Sequence, residues 1–137
     1  MQRDDMLAKV DAAYQARRTG DFATLEKVVC PDAAFSFAGE QSLLAALPGS
    51  SGGVHQAARE LFDTVEIREL ERVDALAEEN RVAILWNATV VAPGGEPFQT
   101  QFFDLWEFDQ SGRICRGTQF LDTAKFVAEM PEAFRGG

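Results

Sequence analysis

The sequence predicts an α+β fold in which N-terminal helices cover one face of a curved antiparallel sheet. Three observations carry this. Apolar residues recur at helical spacing in three segments of the first 65 positions. From residue 66 the period changes to that of strands, in four long segments rich in β-branched and aromatic residues. With 137 residues and 46% apolar content, the chain suits one domain over 1–137 with one core.

Asp4 or Asp5 is placed to cap a first helix carrying Leu7, Val10 and Tyr14 on one stripe, and Gly20 to end it. Asp21 caps a second, with Phe22, Leu25, Val28 and Val29 as its apolar stripe and Pro31 as its stop. The two form a helical hairpin. Phe35 and Phe37 alternate in 32–38, which predicts a short strand. Residues 39–53 hold Leu43, Leu44 and Leu47 and then a Pro, Gly and Ser run, the composition of a mobile flap. Val54, Ala58, Leu61, Phe62 and Val65 are spaced for a third helix.

Strands follow over 66–78, 81–92, 96–109 and 113–122, separated by turn signals at Glu79-Asn80, Pro93-Gly94-Gly95 and Gln110-Ser111-Gly112. This pattern predicts an antiparallel meander. A last helix over 123–130 is capped by Asp122 and halted by Pro131, which leaves 131–137 as a frayed tail. A long sheet curling around helices leaves a hollow, and a small ligand belongs there rather than in a loop motif.

Twenty-two acidic residues against 13 basic ones give a formal net charge of −9, which repels nucleic acid and anionic membrane surfaces. Cys30 and Cys115 belong to no CxxC or Cys/His cluster, so no metal site is expected. The first twenty residues mix charged and apolar positions, and no long apolar run follows; the expected location is cytoplasmic. Phosphate loops, nucleotide fingerprints, HExxH and GxSxG are all missing from the sequence, so no cofactor is expected.

The segment GDFATLEKVVCPDAAF early in the chain, FFDLWEFDQSGRI late in it, and the ending FLDTAKFVAEM resemble the superfamily of nuclear transport factor 2, ketosteroid isomerase, scytalone dehydratase and the SnoaL-like polyketide cyclases. The resemblance covers nearly the whole chain. It implies a cone-shaped α+β barrel of the cystatin-like or nuclear transport factor 2-like kind, and a homodimer paired through the outer sheet face. In the isomerase pattern the Asp of the late motif is a protonated acid, and Asp104 falls on that position. Its neighbours Phe102, Phe103, Leu105 and Trp106 are the apolar setting that raises a carboxyl pKa. SnoaL-like cyclases likewise rely on a buried Asp as acid/base.

Two isomerase positions depart from this pattern. Phe37 occupies the place of the general base, for which only Glu40 offers a replacement. Tyr14 lies one residue out of register with the isomerase's tyrosine donor. These departures argue against ketosteroid isomerisation itself.

Side chains on a strand repeat every two residues, so a cavity-facing Asp104 brings Phe98, Thr100, Phe102 and Trp106 with it. A similar register argument turns Asn87, Thr89 and Gln119 inward, where amides would orient a ligand. Tyr14 is either a pocket donor or a core residue. Trp86 and Trp106 either line the pocket or simply pack. His55, the single histidine, is a possible general base beside the flap.

Two functions remain open on these residues. One is a cofactor-free isomerase, cyclase, dehydratase or hydrolase acting on a small apolar carbonyl or hydroxyl compound through Asp104. The other is a non-catalytic ligand-binding or protein-interaction domain.

Overall fold

The computed structural model describes residues 1–38 and 65–129. The predicted flap, most of the expected third helix, Glu40, His55 and the C-terminal tail lie outside them.

Helix α1 (Arg3–Thr19) takes Gln2 as its N-cap rather than Asp4 or Asp5, and the Asp5 carboxylate accepts the Gln2 backbone N–H at 3.3 Å. The helix ends where predicted. Gly20, at φ 73°, adopts the left-handed conformation that glycine tolerates best. Asp21 then caps α2 (Phe22–Val28), accepting the Thr24 N–H at 3.1 Å and the Thr24 hydroxyl at 2.6 Å.

The expected α2 stripe is not a core stripe. Phe22 is 73% exposed and Leu25 only half-buried, while Val29 turns extended and opens β1 (Val29–Ala38). Strand β1 therefore begins three residues before the predicted start and takes in Pro31. As the edge strand of the sheet it tolerates a residue without an N–H.

Strands β2 (Glu66–Glu78), β3 (Arg81–Val91), β4 (Phe98–Phe108) and β5 (Ile114–Leu121) form the predicted antiparallel meander. The sheet order is β1-β5-β4-β3-β2, and β1 joins β5 in parallel, so the sheet is mixed rather than purely antiparallel. The physical reason lies in the connection. Hairpin turns dictate antiparallel neighbours for consecutive strands only, whereas β1 and β5 are separated by the whole meander, long enough for a crossover. Register shifts between Ile67 and Glu69 and between Arg72 and Asp74 bend β2 and help curve the sheet.

Met6, Leu7 and Val10 of α1 share one buried cluster with Val82, Ile84 and Trp86 of β3, Phe108 of β4 and Ile114 of β5. The closing helix α3 (Thr123–Glu129) is capped by Asp122, which accepts the Lys125 N–H at 3.1 Å. Its one buried side chain, Phe126, meets the Phe98 ring edge-on at 5.5 Å and lies 6.2 Å from the Phe102 ring.

Both cysteines are free, and the Cys30 thiol donates to Asp109 Oδ2 at 2.8 Å. Asp109 also accepts the backbone N–H groups of Ser111 and Arg113, which fixes the β4–β5 turn.

Because α3 is anchored through one buried ring, Phe126→Ala is expected to cost about 3–5 kcal/mol of stability in urea unfolding. Hydrogen exchange over 123–129 should accelerate in the same variant.

Candidate functional site

The organising group is Asp104, in the middle of β4. Inward and outward side chains alternate along this strand, with Phe98, Thr100, Phe102 and Asp104 buried and Gln99, Gln101 and Phe103 exposed. Asp104 itself has no exposed surface.

Four donors from four elements converge on its two carboxylate oxygens. The Tyr14 hydroxyl of α1 donates to Oδ2 at 2.5 Å, the Trp86 indole N–H of β3 at 2.8 Å and the Trp106 indole N–H of β4 at 3.1 Å. Gln119 Nε2 of β5 donates to Oδ1 at 2.8 Å, and also to Tyr14 Oη at 2.9 Å. Pairing explains the convergence. Asp104 stands directly opposite Gln119 on β5 and opposite Ile84 on β3, and Trp86, two residues beyond Ile84, shares that inward face.

Burial pushes the Asp104 carboxyl above its ordinary value of 3.8, and the hydrogen bonds from Tyr14, Gln119, Trp86 and Trp106 pull the other way without cancelling it. Tyr14 is pushed well above its ordinary 10.0, by burial first and then by the charge of Asp104.

An apolar cavity of about 270 Å³ lies between α1, α2, β1 and β5. Its wall includes Tyr14, Trp106 and Gln119, together with Leu25, Val29 and Phe35. Asp104 is behind this wall. Three of its four hydrogen-bond partners face the hollow in its place.

The Trp106 ring reaches this position because of Gly117, which pairs with Trp106 on one side and with Phe35 on the other. A Cβ at Gly117 would come within 2.5 Å of the Trp106 ring and 2.9 Å of the Phe35 ring. Lacking one, the glycine lets the two aromatics meet edge-on above it, centroids 5.8 Å apart.

Over residues 10–117 the sequence matches the SnoaL-like domain family. The chain belongs to that family. Among curated proteins none matches the sequence significantly. Solved structures show the same fold at low identity. A candidate isomerase from Rhodopseudomonas palustris superposes with a TM-score of 0.72 at 16% identity, covering 96% of this chain and 99% of its own. An LEH-like epoxide hydrolase of M. tuberculosis gives 0.62 at 18% identity, with 97% and 92% covered. IdmH, a candidate polyketide cyclase from Streptomyces antibioticus, gives 0.62 at 17% identity, with 92% and 98% covered.

Within this SnoaL-like domain the structure gathers Asp104, Tyr14, Trp106 and Gln119 into one network. It does not bring Asn87 or Thr89 there. The β3–β4 register pairs Asn87 with Gln101 and Thr89 with Gln99, which places both on the outer face, and Asn87 Oδ1 accepts from Gln101 Nε2 at 2.9 Å. The inward residues of β3 are the even-numbered ones, one position away from those expected.

Phe102 is core rather than cavity wall, fully buried near Phe126. His55 lies outside the described residues. Trp86 as a donor to Asp104 was visible only through cross-strand pairing, and Gly117 only as a glycine inside a strand pattern. Among the described residues no group of three His, Cys, Asp or Glu side chains is placed to hold a metal, and no helix is long and apolar enough to cross a membrane.

Two outcomes test this geometry. Gly117→Ala should cost about 1–3 kcal/mol by overpacking and shift Trp106 fluorescence as the ring is displaced. The raised Asp104 pKa means that the folded state holds its proton more tightly than the unfolded chain does. Its contribution to stability should therefore fall as pH rises from near 3.8 through the folded pKa, and this fall should vanish in Asp104→Asn when unfolding is followed against pH.

Proposed function

We propose that this SnoaL-like chain is a cofactor-independent enzyme that moves a proton on a small apolar carbonyl or hydroxyl compound held in the cavity, as an isomerase, cyclase, dehydratase or hydrolase does. One observation carries the reading. A fully buried carboxylate is joined by a 2.5 Å hydrogen bond to a tyrosine hydroxyl, and that tyrosine forms part of an apolar cavity wall.

In this geometry Tyr14 is the group that meets the ligand, and Asp104 is the acid/base behind it. A ligand proton passes to Tyr14 Oη as the tyrosine's own proton moves to Asp104 Oδ2. The carboxyl is then neutral, the form that burial favours. The reverse transfer returns a proton to another ligand atom. Trp106 and Gln119 hold the carboxylate in place and shape the wall. The structural neighbours named for isomerisation, polyketide cyclisation and epoxide hydrolysis support reactions that need one positioned acid/base.

A panel of small cyclic ketones, alcohols and epoxides, followed by gas chromatography, tests the reading. Asp104→Asn and Tyr14→Phe are each expected to lower turnover by about 10²–10⁴-fold with the circular dichroism spectrum preserved. Turnover that survives both substitutions removes it.

The second reading, a ligand-binding or protein-interaction domain without catalysis, draws on the four protein donors already given to Asp104, three of them on Oδ2. It predicts binding without turnover across the panel. Phe103 and Phe120 are 45% and 50% exposed and meet edge-on across adjacent strands of the outer face, centroids 6.5 Å apart, which supports a homodimer through that face. Two free thiols suit the reducing cytoplasm.

A further inference from the structure

The four donors to Asp104 are not equivalent. Tyr14 and Gln119 each carry a donor and an acceptor, so either can turn to suit a charged carboxylate or a neutral carboxyl. An indole N–H only donates. Trp86 at 2.8 Å and Trp106 at 3.1 Å therefore favour one state of Asp104, the ionised one. Both act on Oδ2, the oxygen that also accepts from Tyr14.

The two indoles differ in what else they do. Trp106 forms part of the cavity wall, whereas Trp86 is 3% exposed and takes no part in that wall. The Trp86 ring is held from two sides. Arg72 stands opposite it in the β2–β3 register, at the last pair before a register shift, with its guanidinium 6.0 Å from the ring centroid. Arg72 is in turn tied to the Asp11 carboxylate of α1 at 2.8 and 3.0 Å. On the other side Tyr14 meets the ring edge-on at 5.3 Å. A ring fixed in this way aims its N–H at one place.

We infer that Trp86 is a positioning residue of the reaction proposed above: acting through Asp104, its N–H holds Oδ2 as the charged oxygen that takes the Tyr14 proton. The place in a reaction rests on that proposal, whereas the hold on Oδ2 rests on the hydrogen-bond geometry alone. A bond given to the charged form holds the proton affinity of a carboxyl down, against the effect of burial. Trp86→Phe removes the N–H and keeps an aromatic ring. It leaves every charged or titratable neighbour in the chain: Tyr14 against Asp104, Arg72 and Asp11 beside residue 86, Arg17 acting on Tyr14 through its charge, and Glu26 of α2 on the cavity wall.

The test is an NMR titration of the Asp104 carboxyl ¹³C resonance in the whole chain. In Trp86→Phe the midpoint is expected to rise by about one pH unit, or tenfold in proton affinity, for the loss of one charge-assisted hydrogen bond. The acid limb of the pH–rate profile, read on a panel compound that turns over, should rise with it, because the proposed transfer starts from ionised Asp104. The wild-type protein supplies a measurement should the variant fail to fold. Its Trp86 indole N–H resonance should shift with the Asp104 midpoint, as the acceptor changes from carboxylate to carboxyl.

An unmoved midpoint in the folded variant overturns the inference, since a ring that only packs lowers stability and leaves the titration alone. So does a wild-type Trp86 N–H resonance that ignores the titration of Asp104. A midpoint that rises while the acid limb stays in place overturns the part given to Trp86 in the reaction. A midpoint that rises in a protein that turns over no panel compound supports the hold on Oδ2 and removes the enzymatic reading instead.

Discussion

A carboxylate withdrawn from water has to be met by donors, and the inner architecture of this chain is arranged around meeting one. Asp104 draws Tyr14 from α1, Trp86 from β3, Trp106 from its own strand and Gln119 from β5. No single element can supply such a shell. It forms only when the helix has docked and the three central strands are in register, so the same contacts that satisfy the charge also fix the packing of α1 on the sheet.

The arrangement separates two roles that one residue usually combines. The group with the perturbed acidity sits behind the wall, and the group that meets the cavity is a tyrosine whose own ionisation is suppressed by burial and by Asp104. In the reaction proposed above, proton exchange with a ligand runs through the short Tyr14–Asp104 hydrogen bond rather than through direct contact with the carboxylate. Gly117 belongs to this arrangement although it carries no chemistry, because the absence of its side chain lets the Trp106 indole lie across β5 with its N–H on Asp104.

Much of the fold was legible because local rules agree with the global structure. Gly20 and Asp21 punctuate the helices as their backbone chemistry requires, and Asp122 caps the last one. The β2 boundaries match their prediction, since turn residues bracket a β-rich segment. Alternation along β4 put Phe98, Thr100, Phe102 and Asp104 on one face, and the family resemblance marked that face as the inward one. What failed depended on partners distant in sequence. Asn87 and Thr89 were placed one residue out of phase, because strand periodicity fixes which residues share a face and leaves open which face is inward. Phe22 looked like a core residue by helical spacing, yet α2 is too short and too peripheral to bury it.

By itself the sequence determined the α+β class, the punctuation of the elements and the alternation that puts Asp104 on one face with Phe98, Thr100 and Phe102, all of which follow from backbone propensity and side-chain period over a few residues. Tertiary structure alone decided that β1 lies parallel to β5, that Trp86 and Gln119 reach the same carboxylate, and that Tyr14 rather than Asp104 meets the cavity. Those outcomes depend on strand register and on the cost of burying a charge, which are settled only when separate elements meet: Gln119 and Trp86 lie 15 and 18 positions from Asp104, and Tyr14 lies 90 positions from it.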